Sequence, residues 1–153
     1  MSRWLDPSTS LGMTVFFRDF NMSEHTIDYR VYYEDTDAGG VVFYANYLKF
    51  AERGRTELLR AAGFENRALF EREGLLFVVR RLNADYLKPA RLDDLLTVKT
   101  SVKAVNNASF EMSQAIFCHD SLLFSMDITL VCINSDARPV RVPESLKAQL
   151  QNL

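Results

Sequence analysis

The sequence predicts an α+β fold, a five-stranded antiparallel sheet wrapped around one long helix. Three observations carry this. Residues 44–62 have the period of a helix with one solvated side, and five other segments alternate apolar and polar residues as half-buried strands do. The order is strand, long helix, short helix, then four strands expected to run as a meander, with the helices on one face. A length of 153 residues suits one domain, and 48% hydrophobic with 25% charged residues is the mixture of an ordinary globular core and surface. The net charge of −2 gives no electrostatic reason for a nucleic acid or an anionic membrane as partner. No apolar run approaches the roughly 18 residues of a membrane span.

Residues 1–22 have no long apolar stretch of a secretory signal and no periodicity, and "DPSTSLG" is rich in turn formers. They are expected to be an N-terminal extension, loosely attached, or translation begins at Met13 or Met22. Residues 23–153 are expected to form the single domain. "HTIDYRVYY" (25–33) puts Ile27, Tyr29, Val31 and Tyr33 on one face of a strand. From Tyr44 to Ala62 the stripe Tyr47, Leu48, Ala51, Gly54, Leu58, Ala61 faces inward, with Lys49, Glu52, Arg53, Glu57 and Arg60 opposite. Gly54 in that stripe costs about 1 kcal/mol relative to Ala, so its place predicts a helix lying close on the sheet. Gly63 is the expected stop. "ENRALFEREG" (65–74) reads as a short helix.

Strands are expected over 75–87, 95–105, 109–118 and 122–133, the first ended by Pro89 and the last two joined by a tight "HD" turn. A short helix or tail follows Pro143. That register keeps Cys118 and Cys132 too far apart to bridge, and no cluster of Cys and His suggests a metal. A reducing cytoplasm is the simplest home for such a chain.

The stretch "YYEDTDAGGVVFYANYLKF" (32–50) is the candidate for chemistry. Its polar groups are Glu34, Asp35, Asp37, Asn46 and the hydroxyls of Thr36, Tyr44 and Tyr47, and any one acid is most simply a solvated turn residue. Asp37 stands apart for three reasons. It precedes "AGG", whose glycines let a ligand approach the backbone. The helix then begins, and its first N–H groups lack intrahelical partners and can hold a developing oxyanion. The loop also turns apolar, "VVFY", which favours a dry pocket. Other nucleophiles fare worse. His25 and His119 read as surface residues, there is no GxSxG, and no P-loop or dinucleotide fingerprint is present.

The loop and helix "RVYYEDTDAGGVVFYANYLKFAERGRTELLR", with "FVVRRLNADYLKPARLDDLLTV" after it, closely resemble the YbgC-type acyl-CoA thioesterases. These belong to the 4-hydroxybenzoyl-CoA thioesterase branch of the hot-dog superfamily, and the resemblance runs from residue 25 to about 145. It implies that Asp37 is the catalytic carboxylate, as nucleophile or as general base. It implies that the backbone N–H of Tyr44 polarises the thioester carbonyl and that Gly40 admits the substrate. Val41, Phe43, Tyr33, Phe77 and Val79, with the Tyr44 ring, are expected to line the acyl pocket, and Asp35 to be structural. The family implies no cofactor, and a homo-oligomer, a dimer of dimers with sites at the dimer interface.

Two departures stand out. Many relatives have histidine where this chain has Tyr44, and the turn 105–110 lacks the basic residues that hold CoA phosphates in some of them. An acyl carrier protein thioester is therefore a second expected substrate. The alternative function is a non-catalytic acyl-binding scaffold linked to phospholipid synthesis or the Tol–Pal envelope system.

Overall fold

The computed structural model describes residues 24–153; the expected extension at 1–22 lies outside them. One sheet contains β1 (His25–Arg30), β2 (Leu76–Tyr86), β3 (Leu95–Val105), β4 (Ser109–Cys118) and β5 (Ser121–Ile133), all pairs antiparallel. The helices are α1 (Asn46–Ala61), α2 (Asn66–Glu73) and α3 (Glu144–Gln151). α1 packs on β1, β3 and β4, α2 on β2, and α3 on β3.

The sheet order is β1-β3-β4-β5-β2. Only β3, β4 and β5 therefore form a meander. β2 does not pair with β3, which follows it, but crosses to the far edge beside β5, in place of the expected four-strand run. β1 ends at Arg30, earlier than its alternation predicts, because residues 33–35 wind into one 3₁₀ turn. Val31 stays in the core while Tyr33 swings out to 82% exposure.

The pattern of β2 changes parity. Phe77 and Val79 pair with Cys132 and Leu130, whereas Leu82, Ala84 and Tyr86 pair with Ile128, Met126 and Phe124. An extra residue between Val79 and Arg81 makes the shift, as a β-bulge must when inward positions move from odd to even numbers.

The buried residues of α1 are Asn46, Tyr47, Phe50, Ala51, Gly54, Arg55, Leu58 and Leu59. The expected stripe holds at Tyr47, Ala51, Gly54 and Leu58, while Leu48 is half-buried and Ala61 is exposed. At Gly54 a Cβ would lie 2.9 Å from both Val98 Cγ1 and Thr100 Oγ1, so the helix backbone rests directly on the sheet. Gln114 clamps it there: Nε2 donates to Ala51 O at 2.7 Å and to Thr100 Oγ1 at 2.8 Å. The remaining acceptor, Oε1, takes a bond from Arg55 Nη1 at 2.9 Å, so the buried amide is satisfied.

Gly54→Ala pits about 1 kcal/mol of helix propensity against overpacking on a buried Val98. Overpacking is expected to win, with a net loss of about 1–2 kcal/mol in urea unfolding. A more stable variant would contradict the close approach.

Candidate active site

The loop before α1 is organised by Asp35, 7% exposed. Its carboxylate Oδ2 accepts the Tyr32 N–H at 2.9 Å. Its carbonyl accepts both the Phe43 N–H and the Asn46 side-chain amide, each at 2.9 Å. One residue thus ties the entry of the loop to its exit and to the first residue of α1. Behind it, Val42 N–H donates to Ala90 O at 2.8 Å, and Tyr47 Oη accepts the Ala90 N–H at 2.9 Å. Burial raises the pKa of Tyr47, so its hydroxyl stays protonated and serves as a structural peg.

From that base a narrow hairpin projects. Thr36 bridges Val42, Val41 bridges Arg91, and Asp37 N–H donates to Val41 O at 2.9 Å. A turn closes with Gly40 N–H on Asp37 O at 3.0 Å, and Asp37 Oδ1 accepts the Gly39 N–H at 2.8 Å. Gly40 has φ 75°, in the left-handed region that favours glycine, and a Cβ there would meet open space. Asp37 is exposed, and its second carboxylate oxygen accepts no hydrogen bond from the described residues.

Tyr44 stands just before α1 and is 62% exposed. The N–H groups of Tyr44 and Ala45 donate to no acceptor among the described residues, whereas those of Phe43 and Asn46 are bonded. α1 starts at Asn46, two residues later than its periodicity predicts, so these free donors lie in the turn leading into the helix. The Tyr44–Ala45 peptide, which carries the Ala45 N–H, is held from behind, because Tyr86 Oη donates to Tyr44 O at 2.9 Å. Tyr86 in turn packs edge-on against Phe124 and Tyr47, with centroids 5.0 and 5.5 Å apart. Sequence reasoning placed Tyr86 only in a strand pattern. The signal for more was an aromatic hydroxyl just ahead of the "KPA" that the loop docks on.

The remaining candidates divide. Gly40, Val41, Phe43 and Tyr33 share the loop with Asp37 and Tyr44, and the Phe43 and Tyr44 rings touch with centroids 4.8 Å apart. Phe77 and Val79 lie elsewhere in the chain, at the start of β2, where they line a pocket against the middle of α1. Between Val79 and Tyr86 the strand runs roughly 20 Å, at about 3.3 Å per residue. Arg55 is also in that pocket, and its burial was missed because a charged residue flanking an inward stripe reads as solvated. The thiols are no rivals. Cys118 and Cys132 are free, and burial pushes both up, away from thiolate chemistry.

Known proteins resemble this chain in sequence and in fold. Residues 39–125 match the model of the thioesterase superfamily. The acyl-CoA thioesterase YbgC of Haemophilus influenzae is 43% identical over 125 residues, 81% of this chain and 92% of the relative. The acyl-CoA thioester hydrolase YbgC of Escherichia coli O157:H7 is 41% identical over 124 residues, 80% of this chain and 92% of its own length. A solved structure of a probable thioesterase from Bartonella henselae superposes with a TM-score of 0.76 at 40% identity, covering 79% of this chain and 100% of that one.

The two loop acids should separate by stability. Asp35→Ala strands the Tyr32 N–H and is expected to cost about 1–2 kcal/mol in chemical unfolding. Asp37→Asn, at an exposed turn, should stay within about 0.5 kcal/mol of the parent. Equal losses would show that the loop does not hang on Asp35.

Proposed function

The chain belongs to the thioesterase superfamily, and we propose that it hydrolyses an acyl-CoA thioester to the free acid and CoA, with Asp37 as catalytic carboxylate and the Tyr44 N–H as oxyanion donor. One observation carries the assignment of roles. The loop presents an exposed carboxylate with an unused oxygen, and after it an N–H without an acceptor, on a base that Asp35 and Tyr86 hold in place. Thioester hydrolysis needs both parts. Addition at the carbonyl carbon pushes charge onto oxygen, and one fixed donor there lowers the barrier by about 3–4 kcal/mol. The carboxylate either takes a proton from the attacking water, whose adduct then expels the CoA thiolate, or attacks the carbonyl itself, expelling the thiolate to form an anhydride that water then opens. Gly40 leaves the approach to the backbone clear, while half-buried Val41 and the exposed Phe43 and Tyr33 supply apolar contact for the acyl group.

The proposal includes a dimer. β2 is an edge strand, and its apolar Leu76, Val78, Val79 and Leu82 are each 39–48% exposed, a surface that monomers avoid presenting. Pairing of β2 with its own copy is isologous and antiparallel. It sets the start of β2 in one copy, with Phe77 and Val79, beside Tyr86 and Tyr44 of the other. The two separated groups of lining residues then form one acyl site. A dimer of dimers and a cytoplasmic location belong to the same proposal; among the described residues, no helix is long and apolar enough to cross a membrane.

The 105–110 turn carries no cation for CoA phosphates, so both CoA and acyl carrier protein thioesters belong in the test. A scaffold without activity is not favoured, since the curated relatives are named as hydrolases. Thiol release from short, long and aromatic acyl thioesters should appear with the parent protein and fall by about a hundredfold or more in Asp37→Asn. An unchanged rate in the variant would remove Asp37 from the mechanism.

A further inference from the structure

Tyr86 carries a hydroxyl that its packing does not need. The ring lies edge-on against Phe124 and Tyr47, contacts that a phenylalanine would make equally well. The hydroxyl instead donates to Tyr44 O at 2.9 Å. In a regular helix that carbonyl would take the N–H four residues on, but Leu48 N–H donates to Ala45 O at 3.2 Å. The phenol of Tyr86 stands where the backbone donor is missing. Burial raises its pKa, so it stays protonated and keeps donating at neutral pH.

The Tyr44–Ala45 peptide is trans, so its N–H points opposite to the carbonyl that Tyr86 holds. That N–H, of Ala45, has no acceptor among the described residues, and neither has the N–H of Tyr44 before it. The turn that contains both is closed by Asn46 N–H on Phe43 O at 2.9 Å, with Ala45 at φ −71° and ψ −19°. It is therefore a right-handed turn, in which successive N–H groups point the same way. The Ala45 N–H thus faces the same side as the Tyr44 N–H, which is proposed above to hold the thioester carbonyl. A hydrogen bond accepted at a carbonyl also polarises the N–H of the same peptide and makes it a better donor.

We propose that Tyr86 is a positioning residue of the reaction: through Tyr44 O it orients and polarises the Ala45 N–H as a second oxyanion donor beside that of Tyr44. The role rests on the hydrolysis proposed above and adds to it a residue from β2. Tyr86 itself touches no reacting atom. Its effect grows as charge builds on the carbonyl oxygen, so it belongs to the transition state rather than to substrate binding.

Single-turnover hydrolysis by the whole protein decides it, with the acetyl, octanoyl, palmitoyl and benzoyl thioesters of CoA and of acyl carrier protein as probes. For the best of them, Tyr86→Phe should lower the maximal rate roughly tenfold and leave the half-saturating concentration within about twofold of the parent. Fluorinated tyrosines supply a readout that a packing role would not move. At mildly acidic pH, where each phenol is protonated, Tyr86→3-fluorotyrosine and then Tyr86→3,5-difluorotyrosine should raise the maximal rate stepwise, because a more acidic phenol donates more strongly. If Tyr86→Phe fails to fold, the fluorinated series, which keeps the whole phenol, still decides. The proposal is overturned if Tyr86→Phe reacts like the parent, if only the half-saturating concentration changes, or if the rate ignores the acidity of the phenol. An active parent and an inert Asp37→Asn beside an unaffected Tyr86→Phe would sink this role alone. A parent that hydrolyses none of the thioesters would sink the proposed function, and this role with it.

Discussion

Most of what this molecule offers follows from how deeply α1 settles onto the sheet. At Gly54 there is no side chain between helix backbone and the Val98–Thr100 segment of β3, and Gln114 of β4 reaches across to bond the helix at Ala51. That contact fixes the height of the helix at its middle. Towards the N-terminus it determines where Tyr44 and Ala45 present their free N–H groups. Towards the middle it buries Arg55, because the same Gln114 that holds Ala51 also holds the guanidinium. A looser helix would leave Arg55 in water and the loop without a fixed floor.

The loop illustrates a division of labour between two acids two residues apart. Asp35 commits its amide, carbonyl and carboxylate to the backbone around it, and burial makes each bond costly to lose. Asp37 makes a single side-chain contact within its own turn and faces outward. Rigidity is thus supplied by one carboxylate so that the other can be presented. The column of Tyr47, Tyr86 and Phe124 rings continues this support beneath the loop, and Tyr86 extends it to the Tyr44–Ala45 peptide, the one directly after the peptide of the proposed oxyanion donor.

Much of this was legible in the residues, and the exceptions have physical causes. β3 and β4 match their expected bounds because both alternate over most of their length and end at turn formers. α2 was readable from its short run ahead of Gly74. The alternation of β1 runs on to Tyr33, but the chain leaves the ladder there because the Asp35 carboxylate captures the Tyr32 N–H, a local bond that periodicity does not register. The edge position of β2 depends on pairing with a strand some fifty residues later, and local patterns do not encode partners. Its parity switch comes from the bulge between Val79 and Arg81. Arg55 was invisible for the opposite reason, since its burial depends on Gln114 from another element. Asp37, Gly40 and Tyr44 share one loop because acid, glycines and helix start are adjacent in sequence, whereas Phe77 and Val79 lie at the start of β2, away from that loop.

The proposed roles of Asp37 and Tyr44 are geometric, and a crystal structure with a non-hydrolysable ketone analogue of a turned-over acyl-CoA, a methylene between its carbonyl and sulfur, tests them most directly. The analogue's carbonyl oxygen is expected about 2.7–3.1 Å from the Tyr44 nitrogen, with the Asp37 carboxylate in contact with the carbonyl carbon or with one intervening water. A carbonyl bound away from the start of α1, or an Asp37 that reaches neither the carbon nor such a water, would contradict them.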